Sequence, residues 1–232
     1  MTICAILFDA VRTLIYPDPP VAEAYHRVGR ELGSSRTLAE IKGLFREAYQ
    51  RSESLFALPG NDGGLGRQPT SDERERKRWR QVIGEIFDDL PAAPADEALV
   101  RLWRHFAQPA HWQLYDDVAA AWQELSQRGY VLGIASNFDS RLEAICRGLP
   151  PLDQCRQLFI SSQIGYPKPA PQFFRAMEEK LGLRGEEILL VGDDWTNDVL
   201  GGRSCGWQVQ HIVREGPLPD GAIRSLGELS RL

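Results

Sequence analysis

The run Ile3-Cys4-Ala5-Ile6-Leu7-Phe8 has no polar break and stops abruptly at Asp9. An apolar run this short and this continuous reads as a strand buried on both faces, as in a parallel sheet covered by helices. Ligands in open α/β sheets bind just beyond the carboxyl ends of the strands, so a carboxylate at position 9 stands where chemistry is done. An Asp at a strand end also serves simply to shape a turn. Three later stretches, each following a strand of its own, favour the chemical reading.

From Trp112 onward helices and strands alternate. Helical patterns cover 116–128, 141–147, 171–181 and 195–204, and apolar strands cover 130–135, 157–161, 187–191 and 208–213. Strands spaced by helices of that length imply βαβ units. The expected fold class is therefore α/β, with a three-layer, Rossmann-like parallel-sheet core.

Between Leu14 and Trp112 the pattern is helical. Val21, Ala24, Tyr25, Val28 and Leu32 share one helical face, and Gly33 follows as a stop signal. Leu38 to Tyr49 repeats the pattern, Ser71 to Asp89 carries a third stripe, and Asp96 to Phe106 a fourth. Pro59 to Pro69, with four glycines, reads as a loop, and Pro91-Ala92-Ala93-Pro94 as a break between helices. The domain division expected from this is a core of residues 1–15 and 111–232, with an α-helical insertion at 16–110.

Composition narrows the function. The net charge is −5, with basic and acidic residues interspersed, so no nucleic-acid footprint is visible. No apolar run approaches membrane length. Cys4, Cys146, Cys155 and Cys205 are widely spaced and form no CxxC pair, which speaks against zinc and for a reduced, cytoplasmic setting. The expected partner is a small molecule, and the expected assembly a monomer or dimer.

Four polar signatures fall at the strand ends or in the loops after them: Asp9, Ser136-Asn137, Lys168 within Gly165-Tyr166-Pro167-Lys168-Pro169, and Asp193-Asp194 through Asp198. A carboxylate nucleophile divides a hard displacement into two easier ones. Phosphoryl transfer also needs cations and donors around the transferring oxygens. Ser136 has a hydroxyl to hold one such oxygen, and Lys168 a charge to neutralise the group. Asp193 and Asp194 offer the hard oxygen ligands that Mg²⁺ takes. Singly, each feature has an ordinary structural explanation: a turn, an exposed loop or a helix cap.

In this order and spacing the four resemble the core motifs of the haloacid dehalogenase superfamily of hydrolases. The insertion directly after the first motif looks like that superfamily's helical cap. Ser136-Asn137-Phe138-Asp139, Trp112 and Pro167-Lys168-Pro169 look like its "hydrolase domain-containing" branch. The resemblance implies Asp9 as nucleophile and Lys168 as its catalytic partner. Ser136, Asn137 and Thr13 would meet the phosphate, and Arg12, outside the family pattern, is a further candidate for it. Asp9, the Val11 carbonyl and Asp193 would hold Mg²⁺, with Asp194 and Asp198 behind them. The implied activity is Mg²⁺-dependent hydrolysis of a small phosphorylated metabolite through an aspartyl-phosphate. Tyr16, Arg46, Tyr49 and Trp79 are candidates on the insertion for choosing the substrate.

The pattern departs from the family at two neighbouring positions. The phosphatases carry a second Asp two residues after the nucleophile as general acid and base, and here that position is Val11. General acid–base help is worth about 10²–10⁴-fold, so turnover is expected to be slow. Arg12 stands where glycine is common. It is either a surface residue with ordinary dihedrals, a phosphate clamp, or a cation paired with Asp9 or Asp194. Two alternatives stay open: a 2-haloacid dehalogenase, whose family members also lack the second Asp, and a ligand- or partner-binding relative without turnover.

Overall fold

The computed structural model describes residues 2–59 and 65–231. In chain order the elements are β1 (Ala5–Phe8), β2 (Ile15–Pro17), α1 (Val21–Glu31), α2 (Leu38–Phe56), β3 (Ala57–Pro59), β4 (Leu65–Arg67), α3 (Asp72–Ile86) and α4 (Ala92–His105). Next come β5 (Trp112–Leu114), α5 (Val118–Gln127), β6 (Val131–Ser136), α6 (Arg141–Arg147), β7 (Gln157–Ile160), α7 (Ser161–Ile164) and α8 (Pro171–Leu181). The chain closes with β8 (Ile188–Gly192), a π-helical turn (Trp195–Leu200), α9 (Gly201–Ser204) and β9 (Gln208–His211).

The main sheet is parallel, in the order β7-β6-β1-β8-β9, with β1 at its centre. Period-two alternation divides its side chains between two layers. Ile6, Phe8, Ile134, Leu189 and Val191 join Trp122 of α5 and Ile145 of α6. Ala5, Leu7, Ala135, Ile188 and Leu190 join Phe173, Phe174 and Met177 of α8. A strand covered on both sides has no polar face, which is why β1 and β8 read as continuous apolar runs. Register aligns the strand ends: Phe8 pairs with Ile134 on one side and Val191 on the other. Asp9, Ser136 and Asp193 therefore leave the sheet along one rim.

The chain departs from and returns to the sheet through a second, two-stranded ribbon, β2 antiparallel to β5. Between them α1 to α4 build a separate apolar cluster around Tyr25, Ile41, Ile83, Phe87, Leu99 and Leu102. Phe106 packs against this cluster and against the sheet's own. Close packing is visible at Gly29, where an added Cβ would lie 2.5 Å from the Phe87 ring. The Ser71 hydroxyl accepts from the Arg74 N–H to start α3, and Asp72, Glu73 and Glu75 sit at its positive end.

Three local expectations change. The loop expected at 59–69 contains β4, which pairs antiparallel with β3; Gly60 to Gly64 lie outside the described residues. Pro91-Ala92-Ala93-Pro94 opens α4 rather than separating helices, since the first turn of a helix tolerates proline. The helix expected at 195–204 begins as a π-helical turn. Among the described residues no helix is long and apolar enough to cross a membrane.

Candidate active site

Asp9 comes directly after β1 and is 8% exposed, its N–H donating to the Val191 carbonyl at 2.8 Å. Lys168 comes from the segment between α7 and α8 and is buried at 1%. Its ammonium donates to Asp9 Oδ1 at 2.7 Å, to the Ala135 carbonyl at 2.7 Å and to Asp198 Oδ1 at 2.6 Å. An ammonium has three protons, so its donor capacity is used up and its position is fixed. The peptide of Lys168 is held as well. Asn137 Nδ2 donates to the Lys168 carbonyl at 2.9 Å, and the Lys168 N–H donates to Asn137 Oδ1 at 2.7 Å. The side chain of Asn137 thus positions the lysine, and the residue also lines the cavity.

Asp198 rides on the π-helical turn and points back at the rim. Its Oδ2 accepts from the Asp194 N–H at 3.0 Å. This needs glycine at 192, where a Cβ would lie 2.3 Å from Asp198 Cγ. The Asp194 carboxylate accepts from the N–H groups of Thr196 and Asn197 and from Asn197 Nδ2. It caps the turn, so its oxygens are taken up locally. π-Turns are uncommon and recur at functional sites.

Asp9, Asp193 and Asp198 bring carboxylate oxygens within 4.8 Å of one another. Against these three stand Lys168 and Arg12, whose Nε lies 3.3 Å from Asp193 Oδ2. Burial, with Asp9 next, pushes the Asp193 carboxyl up to about 7, while Arg12 pulls against the rise. Burial likewise raises Asp198 to about 6, opposed by Lys168. Burial also works against charge on Lys168, but Asp198 and Asp9 outweigh it and hold the ammonium above the ordinary lysine range. The site is short of positive charge, and its oxygen donors are those a hard divalent cation takes.

Arg12 does not have ordinary dihedrals. Its φ is +66°, the left-handed region that costs a non-glycine residue about 1–2 kcal/mol. Its side chain is 75% exposed and partners Asp193, neither Asp9 nor Asp194. Val11 beside it is half-buried and faces the same cavity. Thr13 is fully buried and lies apart from the cavity. Its carbonyl accepts from Arg214 Nε at 3.2 Å and Nη2 at 2.6 Å. Arg214, anchored to Asp117 at 2.7 Å, thereby tethers the loop after Asp9 from two hundred residues away. No local pattern in the sequence marks it.

A cavity of about 670 Å³ opens over this rim. Asp9, Val11, Arg12, Ser136, Asn137, Lys168, Asp193, Asp194 and Asp198 lie along one side; Arg46, Tyr49 and Trp79 line it from α2 and α3. Tyr16 is outside it, packed on Tyr115 with ring centroids 4.9 Å apart. Also missed in the sequence are Arg78 and Arg141, which line the cavity with their charges paired inside the protein.

Known proteins resemble this chain in sequence or in fold. The human haloacid dehalogenase-like hydrolase domain-containing protein 3 is 30% identical over 210 residues, covering 87% of this chain and 78% of its own. The zebrafish (Danio rerio) protein of that name is 27% identical, covering 87% of this chain and 81% of its own. The magnesium-bound HAD-hydrolase YfnB from Bacillus subtilis superposes with a TM-score of 0.76 at 22% identity, covering 100% of this chain and 98% of that one. A HAD phosphatase from Thermococcus onnurineus gives 0.65 at 25% identity, covering 100% and 97%. A dehalogenase gives 0.71 at 20%, covering 99% and 96%. The sequence profile of the haloacid dehalogenase-like hydrolases matches residues 3–206, most of the sheet with its insertion, and the chain belongs to that family.

Proposed function

We propose that the protein is a phosphomonoester hydrolase that uses Asp9 as nucleophile and Mg²⁺ as cofactor. The observation that carries this reading is the contact of Lys168 with Asp9 Oδ1 amid the carboxylates of Asp193 and Asp198. With Oδ1 held by the ammonium, Oδ2 is the oxygen left to attack phosphorus. The Asp9–phosphorus bond forms as the ester oxygen departs, and water then hydrolyses the acyl phosphate. Ser136, at the end of β6 and lining the cavity, would donate to a phosphate oxygen. Bound Mg²⁺ would supply the positive charge the carboxylates lack, held by Asp9, Asp193 and the Val11 carbonyl. Val11 has no proton to give, so the departing oxygen takes one from water, and esters with acidic leaving groups react fastest.

The helices α1 to α4 are the proposed cap over this chemistry. Carbon–halogen cleavage needs the nucleophile but no cation, and a cluster of carboxylates short of positive charge makes it the weaker reading. The test is a panel of phosphomonoesters and 2-haloacids assayed with Mg²⁺ and with chelator, for the wild type and Asp9→Asn. Mg²⁺-dependent phosphate release that vanishes in Asp9→Asn is expected, because an amide cannot attack phosphorus. Halide release that survives chelation overturns the reading.

A further inference from the structure

The cavity over Asp9 is much larger than a phosphate. At about 670 Å³ it lies in the range that encloses a whole drug-sized ligand. A two-carbon acid or its phosphate ester fills one end only. The helices supply the rest of the lining, and they supply it with rings. Phe45, Tyr49 and Trp79 form one aromatic panel, with Phe45–Tyr49 planes 13° apart and Phe45–Trp79 planes 26° apart. A ring that serves only the core is buried, as Phe87 is at 1%. Tyr49 keeps 38% exposure, and Trp79 is half-buried, at the cavity wall.

Beside this panel stands a charged group in poor water contact. The Arg78 side chain is 13% exposed and the Glu75 side chain 14%, and both line the cavity. Arg78 lies 5.0 Å over the Tyr49 ring and 5.9 Å over Trp79, while its Nε donates to the Ser52 hydroxyl. Glu75 accepts from the Thr70 hydroxyl at 2.7 Å. Buried ion pairs add little stability compared with apolar replacements. At the cavity wall Arg78, which also donates to Glu53, and Glu75 set opposite charges side by side against the edge of a ligand.

We propose that the group esterified to the phosphate is a flat unsaturated ring with a hydrogen-bonding edge, as in a nucleoside monophosphate. The ring lies against Tyr49 and Trp79, and its edge meets Arg78 and Glu75. This rests on the phosphohydrolase reading for the phosphate end, while the ring site stands on the helices alone.

Two measurements separate the claims. In Asp9→Asn, calorimetry with uridine 5′-monophosphate, 1-naphthyl phosphate and phosphoglycolate reads binding without turnover. In the wild type, kcat/KM is compared for the same three. Stacking of one base on an aromatic residue is worth about 1–3 kcal/mol, so the ring esters should bind about tenfold or more tighter than phosphoglycolate. Uridine monophosphate should exceed naphthyl phosphate through its edge. Trp79→Leu and Tyr49→Leu, each checked for unchanged thermal unfolding, should cut the ring-to-aliphatic ratio severalfold. Tighter ring binding with no hydrolysis of any ester sinks the phosphohydrolase reading and keeps the ring site. Asp9-dependent hydrolysis with equal affinity for all three overturns the ring site and keeps the hydrolase. Naphthyl phosphate binding as tightly as uridine monophosphate overturns the polar edge, as does a ratio unmoved in both folded variants for the stacking panel.

Discussion

The two sides of the cavity are built by different means. The sheet side is a knot of charge, in which Lys168 binds two carboxylates and a carbonyl with its full set of donors. The helix side is a panel of rings with charges paired in its margin. Strand register fixes the first to within a hydrogen bond, because Phe8 is paired on both sides immediately before Asp9. Helix packing fixes the second through side chains, which a few substitutions can rearrange. The same difference separates chemistry, which tolerates little displacement, from recognition, which can be retuned without moving the reacting atoms.

The contrast between the two sides breaks most sharply at Lys168. Lys168→Met leaves Asp9, Asp198 and Asp193 crowded with one exposed guanidinium to answer them. Removing one partner of a buried ion pair costs about 3–5 kcal/mol. Urea unfolding should show that loss at neutral pH, and phosphate release should disappear in the surviving folded fraction. Stability within about 1 kcal/mol of wild type would mean that the carboxylates take up protons freely and that the knot is not held by its lysine.

Two glycines offer a matched pair, one on each side. At Gly192 a Cβ would meet Asp198 Cγ at 2.3 Å, and at Gly29 it would meet Phe87 at 2.5 Å. Overpacking of this kind costs about 1–3 kcal/mol in either place. Gly192→Ala should push Asp198 off Lys168 and abolish turnover. Gly29→Ala should lose similar stability but keep hydrolysis of p-nitrophenyl phosphate once corrected for folded fraction. Equal losses of activity would show that the two sides do not act independently.

The sheet side is the more legible in the sequence. Continuous apolar runs forecast a parallel sheet, and polar residues closing those runs forecast the rim where Asp9, Ser136 and Asp193 emerge. The features hidden from the sequence lie in tertiary contacts. Asn137 looks like a phosphate ligand beside Ser136, yet its amide completes two bonds with the peptide of Lys168. Arg214 reaches Thr13 across two hundred residues, a pairing no periodicity encodes. On the helix side the apolar stripes are plain, and Arg46, Tyr49 and Trp79 of the insertion do line the cavity. Which rings of a stripe face the core and which face open space depends on how four helices meet. The short ribbon of β2 and β5 is also hidden, since three-residue strands carry too little pattern.

The joint between the two sides should respond to acid. His105, at the end of α4, stacks on His111 with ring centroids 3.6 Å apart, and Arg27 Nη2 lies 3.5 Å from its Nδ1. Burial, then the charge of His111 and Arg27, pushes His105 down to about 4. A histidine depressed in the folded state takes up its proton more readily when unfolded. Its contribution is therefore complete above about pH 6.5, the unfolded value, and is lost as pH falls toward about 4. The loss should be about 1–2 kcal/mol, reduced from full linkage by nearby solvent. Comparing urea midpoints of wild type and His105→Gln from about pH 7 down to about 4.5 isolates it from the carboxylates. Parallel pH curves for the two proteins would remove His105 as the cause.

The smallest effect is the most informative about the sheet side, because it concerns the one described non-glycine residue there in the left-handed region. Arg12 holds φ +66° and partners Asp193 while three-quarters of its side chain is in water. An exposed ion pair contributes about 0–1 kcal/mol, which does not offset the roughly 1–2 kcal/mol a left-handed arginine costs. Strain of this kind persists where surrounding structure imposes it, and it clusters at working sites. Arg12→Gly removes the strain, and the greater freedom of glycine in the unfolded chain takes back part of the gain. The expected result is stabilisation of roughly 0.5–1 kcal/mol by urea unfolding. Loss of the guanidinium also leaves Asp193 with less positive charge beside it, so calorimetry should show tighter Mg²⁺ binding in Arg12→Gly. If the variant is instead destabilised and binds Mg²⁺ more weakly, the arginine is holding Asp193 in place for the cation. The sheet side would then depend on an exposed side chain as well as on strand register, and the contrast with the helices would narrow.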